Sequence, residues 1–177
     1  MKNTKKLTLS AITVALGVVF ILLGSVYEPL DLTVACLSSL LVAFIYIEVG
    51  SPYTYLVWLC TSLITALIFP LGTAWVSYFL VFGIYPVVKG YIERLGRRLW
   101  IPLKLGFAVV TMAALFCVTT FVMGIPNESI FGLPMGAGLA VLGVLLVLCF
   151  MLYDRFVTAF VRIYFKKIRP RIKNLLK

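Results

Sequence analysis

The sequence predicts an all-α fold, a polytopic membrane bundle of about six transmembrane helices in a single domain over residues 1–177. Three observations predict it. Apolar residues make up 63% of the chain and charged residues only 12%, which is too few to cover a water-exposed globule. The apolar residues fall into runs close to the length that crosses a bilayer as a helix. All sixteen Lys and Arg residues lie where alternating spans place them on one side of the membrane.

The apolar runs cover residues 7–26, 32–49, 53–70, 73–91, 101–124 and 135–153. Helices are expected because lipid offers no partner to backbone polar groups, and the strict alternation of a membrane β-barrel is absent. The first run follows a basic start, as in a signal peptide, but it is longer than a signal peptide's apolar region. We therefore expect it to be a retained first helix.

Short breaks separate the next runs. The second and third are divided only by the segment from Glu48 to Pro52, and the third and fourth by Pro70-Leu71-Gly72. The basic stretch 89–104 connects the fourth and fifth runs and overlaps their ends, and the segment 125–134 connects the fifth and sixth. Fusing either close pair of runs would break the charge alternation, so six spans are preferred over the alternative of four or five.

The three basic clusters predict the orientation. They are Lys2 with Lys5 and Lys6, the stretch 89–104, and the stretch 155–177. Because Lys and Arg in short loops stay in the cytoplasm, both termini are predicted to be cytoplasmic. The net charge of +10 then reflects topology, not nucleic-acid binding. The last helix is expected to continue as a basic amphipathic tail over 154–177 that lies on anionic lipid headgroups, with docking on a cytoplasmic partner as the alternative.

Catalytic chemistry has little support. The chain has no histidine, and its four cysteines lie singly without a CxxC spacing, which argues against His-based catalysis and against zinc or redox sites. The Gly-rich phosphate-binding loop of ATPases is absent. We expect no enzyme activity, catalytic residue, metal or cofactor. A Ser/Lys site assembled across helices is the enzymatic alternative.

Charged residues within the runs lie near the ends of the helices. Glu48 is expected to snorkel to the interface or to cap a helix, and Asp154 to form an interfacial ion pair beside Arg155. A proton- or sodium-driven carrier would need a charged residue near the middle of a span, and none of the predicted spans has one. The sequence therefore argues against a secondary transporter.

The candidate ligand-binding residues lie towards the predicted outer face. They are Glu28, Asp31, Trp75, Tyr78, Asn127 and Glu128. If the outer loops converge, their polar residues could form the mouth of a pocket, and the two aromatic residues could provide stacking surfaces. An outer face with acids and no Lys or Arg favours a neutral or cationic ligand. The alternative is that these loop acids are simply hydrated.

The first helix is the most specific segment. Ala11 and Ala15 are four residues apart, and Thr8, Ser10, Thr13 and Gly17 make the same half of the helix small-sided. Small residues at this spacing let two helices approach closely in lipid. The partner could be another helix of this chain or a second membrane protein.

A basic start, the Ala-x-x-x-Ala pair at Ala11 and Ala15, six spans and a length of 177 residues together resemble the substrate-binding S component of energy-coupling factor (ECF) transporters, or a related small six-helix bacterial membrane protein. The resemblance implies a protein of the bacterial plasma membrane that captures a micronutrient at its outer face. It also implies docking through Ala11 and Ala15 onto a membrane T component driven by cytoplasmic ATPases. A non-catalytic assembly or scaffold protein is the alternative.

Overall fold

The computed structural model describes residues 3–95, 99–118, 120 and 135–169, without the side chains of residues 28, 135–140, 142 and 168. Every regular element within these residues is helical. The α-helices are α1 (Asn3–Val26), α2 (Asp31–Glu48), α3 (Ser51–Ile68), α4 (Thr73–Ser77), α5 (Tyr85–Ile92), α6 (Trp100–Cys117) and α7 (Met135–Ile163). A 3-10 turn, Glu28–Leu30, precedes α2, and π-helical turns at Tyr78–Phe82 and Tyr164–Ile168 follow α4 and α7.

Six helical segments of the described chain are long and apolar enough to cross a membrane. They are Asn3–Val26, Asp31–Glu48, Ser51–Ile68, Thr73–Ile92, Trp100–Cys117 and Gly143–Lys167. The predicted all-α class and the predicted number of candidate spans are therefore confirmed. Six such helices indicate a multi-pass membrane protein. The end of the fifth predicted run, beyond residue 120, lies outside the described residues.

Both close pairs of runs are separated by real breaks. Gly50 lies between α2 and α3 with φ of 104°, in the left-handed region that side chains with a Cβ disfavour. Pro52 follows in the first turn of α3, where its missing N–H is not needed. Before α4, the Gly72 N–H donates to the Phe69 carbonyl at 3.1 Å. At each of these two breaks, the local backbone conformation therefore ends one helix and begins the next within a few residues.

The fourth span is irregular and lies at the centre of the bundle. In its π-turn, the Gly83 N–H donates to the Tyr78 carbonyl, five residues back, at 2.7 Å. Pro86 lies in the first turn of α5 and supplies no backbone donor. Among the described residues, 61% of those in this span are buried, compared with 6% in α6. The core therefore forms around the fourth span: α4 packs against α1, α2 and α3, α5 packs against α2 and α6, and α7 adds core residues.

The last helix continues beyond the predicted end of its span. It is regular to Ile163 and remains helical through the π-turn to Arg169. Arg155, Arg162 and Lys166 are exposed along it, as expected for a basic tail. Residues 170–177 lie outside the described residues.

Candidate functional site

The acidic end of the bundle, where the Glu28–Leu30 turn meets the start of α4, holds part of the predicted ligand site. Asp31 begins α2, and the Thr73 hydroxyl donates a hydrogen bond to its Oδ2 atom. This contact joins the start of α2 to the start of α4. Asp31 therefore positions two helices at this end of the molecule.

The two predicted stacking residues occupy different environments. Trp75 is half-buried, and its indole N–H donates to the Pro70 carbonyl at 3.1 Å. Tyr78, nearly one turn further along the chain, is only 1% exposed and belongs to the core. The structure thus places Asp31 and Trp75 at the same end and Tyr78 inside the bundle.

The remaining predicted ligand residues are only partly described. The backbone of Glu28 lies in the 3-10 turn before α2, but its side chain is outside the described residues. Asn127 and Glu128 are outside them altogether. Their contribution to a pocket stays a prediction.

The small residues of α1 divide between two faces. Ser10, Thr13 and Gly17 are buried and face the bundle, and a Cβ built at Gly17 would lie 3.1 Å from the Thr61 methyl group on α3. Ala11 and Ala15 lie on the opposite face and are exposed. Helix packing within the chain therefore accounts for the first set and leaves the alanine pair on the surface.

The opposite end of the bundle, which we call the basic end, contains an ionic cluster of Lys89, Glu93, Lys104 and Asp154. The Lys89 ammonium donates to Asp154 Oδ1 and lies 3.2 Å from Glu93 Oε1. Lys104 lies 3.0 Å from both Asp154 carboxylate oxygens and 3.1 Å from Glu93. Two lysines and two acids therefore balance in one network.

Neutral hydroxyls complete this ionic cluster. The Tyr85 hydroxyl donates to Asp154 Oδ1 at 2.5 Å, and the Lys89 ammonium donates to Thr158 Oγ1 at 2.7 Å. The Lys89 side chain is only 5% exposed. A buried charge is tolerated only when it is paired and hydrogen-bonded. Lys89 meets both conditions through the two carboxylates and the Thr158 hydroxyl.

The ionic cluster connects three helices that are distant along the chain. Lys89 lies on α5 and Glu93 directly after it, Lys104 on α6 and Asp154 on α7. A second link joins α7 to α2. The Tyr164 hydroxyl donates to Glu48 Oε1 at 2.8 Å, and Arg169 Nε lies 3.4 Å from the same oxygen. Polar contacts thus hold the last helix against the bundle at its basic end.

A cleft of about 430 Å³ opens beside the ionic cluster. Residues of α2, α5 and α7 line it, including Lys89 itself, the Tyr46 ring and the Thr158 side chain. The wall near the end of α5 also carries Arg94. This end of the molecule therefore combines buried charge with an open, partly polar recess.

Sequence reasoning missed the ionic cluster. The sequence attributes Lys89 and Lys104 to membrane topology and predicts an ion pair between Asp154 and its neighbour Arg155. The structure instead pairs Asp154 with both lysines. The available signal was the position of each lysine within or beside an apolar run, where an ionisable residue needs a partner.

Comparison of the chain with protein-family models, with curated proteins and with solved structures found no match. Within the described part of the chain, no group of three or more His, Cys, Asp or Glu side chains could hold a metal ion. Function is therefore inferred from three features: the exposed alanine pair of α1, the acidic end and the ionic cluster.

Proposed function

We propose that this chain is the substrate-capturing membrane subunit of an ECF-type micronutrient importer in a bacterial plasma membrane. Its termini would lie in the cytoplasm, and α1 would dock on a membrane T component. The observation that supports this proposal is the exposure of Ala11 and Ala15 on a helix whose other small residues are already buried.

The outward face of α1 has the form that close helix packing requires. Ile12, Leu16 and Val19 are each about half exposed, so larger side chains flank the alanine pair. Thr8 is also exposed, but its hydroxyl is bonded to the Thr4 carbonyl at 3.0 Å. In lipid, small residues between larger ones allow a second helix to approach and gain van der Waals contact.

The acidic end supports a neutral or cationic ligand. Asp31 and Trp75 lie there, with Glu28, Asn127 and Glu128 as further proposed contacts. An anionic ligand would meet like charge at this end. Energy for import would come from partner ATPases, because the chain has no phosphate-binding loop of its own.

Co-purification tests the docking helix. The tagged chain, extracted from its native membrane in a mild detergent, should bring down a T component and ATPases that mass spectrometry identifies. Ala11→Trp or Ala15→Trp should reduce their recovery at least about fivefold, since a clash between helices costs about 1–3 kcal/mol. Ala113→Trp is the matched control, because Ala113 is an exposed alanine on α6. Equal recovery with all three variants would contradict docking through α1.

Ligand capture is tested separately by thermal unfolding of the purified chain with a panel of vitamins and amino acids. One neutral or cationic compound should raise the unfolding temperature, because binding to the folded state alone stabilises it. Stabilisation by anionic compounds only would contradict the proposed acidic site.

A non-catalytic assembly protein is the second candidate. It is favoured by the burial of Tyr78 and by the contact between Asp31 and Thr73, because both residues are engaged within the fold. This candidate predicts a stable membrane partner lost with Ala11→Trp, but no ligand from the panel. Turnover of a lipid or peptide by the purified chain alone would contradict both candidates.

A further inference from the structure

A groove of about 600 Å³ runs between α6 and α7. Its walls are exposed to the surroundings of the bundle, with Ile101 69%, Leu148 55% and Leu152 71% exposed. Both helices are candidate membrane spans. The groove therefore faces the region that acyl chains occupy in a bilayer.

The groove is polar at one end and apolar along the rest. α6 begins at the basic end and α7 arrives there, so Trp100, Lys104 and Arg155 line the groove at that end. Leu105 and Leu148 line it further along the two helices. Tryptophan and basic residues are typical of the level at which lipid headgroups lie. The polar end of the groove therefore matches a lipid headgroup, and the apolar remainder matches an acyl chain.

Among the charged residues that line the groove, Arg155 is the one that can bind a ligand anion. Lys104 and Asp154 both line the polar end, but each is engaged in the balanced ionic cluster. Arg155 is exposed and has no ion pair among the described residues. A guanidinium in this position can bind a phosphate through two parallel hydrogen bonds.

A second groove of the same volume provides a comparison. It lies between α2 and α7 and is also about 600 Å³. The described residues that line it include Leu37 and Phe156 but no charged residue. An apolar groove alone fits any acyl chain. Of these two grooves, the one between α6 and α7 adds a cation to the hydrocarbon surface.

We propose that the groove between α6 and α7 binds one anionic phospholipid, with its phosphate on Arg155 and an acyl chain along Leu105 and Leu148. The apolar walls contribute through burial of hydrocarbon, and the cation selects the headgroup. This site is independent of import and of the docking face on α1.

The test uses nanodiscs that contain phosphatidylcholine and phosphatidylglycerol, from which the full-length protein is released for native mass spectrometry. One phosphatidylglycerol per chain should be retained in preference to phosphatidylcholine. Arg155→Gln should weaken its retention about tenfold, as expected for a lost charge-assisted hydrogen bond. Arg162→Gln is the matched control, because Arg162 is exposed on the same helix but does not line the groove.

A second pair of variants tests the acyl-chain part of the site. Leu148→Trp should fill the groove and reduce retention, whereas Leu37→Trp fills the uncharged groove and should leave phosphatidylglycerol retention unchanged. These residues are exposed, so neither change disturbs the core. Thermal unfolding confirms that each variant is folded.

Three results would overturn the proposal. Equal retention of the two lipids would exclude headgroup selection. Equal losses with Arg155→Gln and Arg162→Gln would show general attraction to a basic tail. Displacement of the lipid by soluble glycerol phosphate at low concentration would show that the headgroup alone is bound and that the groove contributes nothing.

Discussion

Replacing Asp154 with asparagine removes the carboxylate charge that faces Lys89 and Lys104 and that accepts a hydrogen bond from Tyr85. Two ammonium groups then share Glu93 as the remaining acid of the ionic cluster. Asp154 has 18% of its side chain exposed and Lys89 only 5%, so solvent screens the lost interaction poorly. Breaking a buried pair costs about 3–5 kcal/mol. The lower value, about 3 kcal/mol, is expected because a membrane protein's unfolded state also finds polar partners.

The assay is equilibrium unfolding in dodecyl maltoside with increasing SDS, followed by circular dichroism. Glu93→Gln is the control, because Glu93 is 36% exposed and should contribute no more than about 1 kcal/mol. Lys89→Met combined with Asp154→Asn leaves Lys104 and Glu93 as a balanced pair. The double variant should therefore be at least about 1 kcal/mol more stable than the sum of the two single effects predicts.

Two outcomes would refute this reasoning. A loss below about 1 kcal/mol for Asp154→Asn would place the ionic cluster in the range of an exposed ion pair. Strict additivity in the double variant would show that Lys89 and Asp154 do not interact energetically, because a cycle between contacting charges should reveal coupling.

Further predictions concern packing and buried hydroxyls, measured in the same assay. Gly17→Leu should cost about 1–3 kcal/mol, because a Cβ there would lie 3.1 Å from a threonine methyl on α3. Gly106→Leu should be neutral or stabilising, since no described residue lies within 4 Å of a Cβ built there. Tyr153→Phe should cost about 1–2 kcal/mol, because its hydroxyl donates to Ser39 at 2.8 Å in a buried site. Tyr27→Phe, at a residue 60% exposed, should have little effect, and equal losses for the two tyrosines would contradict the buried bond.

The helices could be predicted because their causes are local. Runs of apolar residues must form helices in lipid, and Gly50 and the Pro70-Leu71-Gly72 segment interrupt those runs where the second and third spans end. The predicted run 32–49 accordingly differs by one residue at each end from the observed Asp31–Glu48 helix. Length and composition were enough for these assignments.

The faces of the helices could not be predicted in the same way. Along α1, Thr13 and Ala15 are two residues apart and therefore lie on opposite faces, but only the structure shows that Thr13 is buried and Ala15 exposed. An almost uniformly apolar helix has little amphipathic pattern to indicate its orientation. Tyr78 illustrates the same point: the sequence predicts it as a stacking surface, and only the structure shows that its side chain is buried in the core.

The ionic cluster required the tertiary structure for a different reason. Lys89 and Asp154 are 65 positions apart, and no local pattern indicates that they meet. The chain's sequence established that this is an all-α protein with six candidate spans, because hydrophobicity and breaks in it act over one helix at a time. Which side chains meet was decided by how the helices pack, because buried charges and small residues find their partners across helices and not along them.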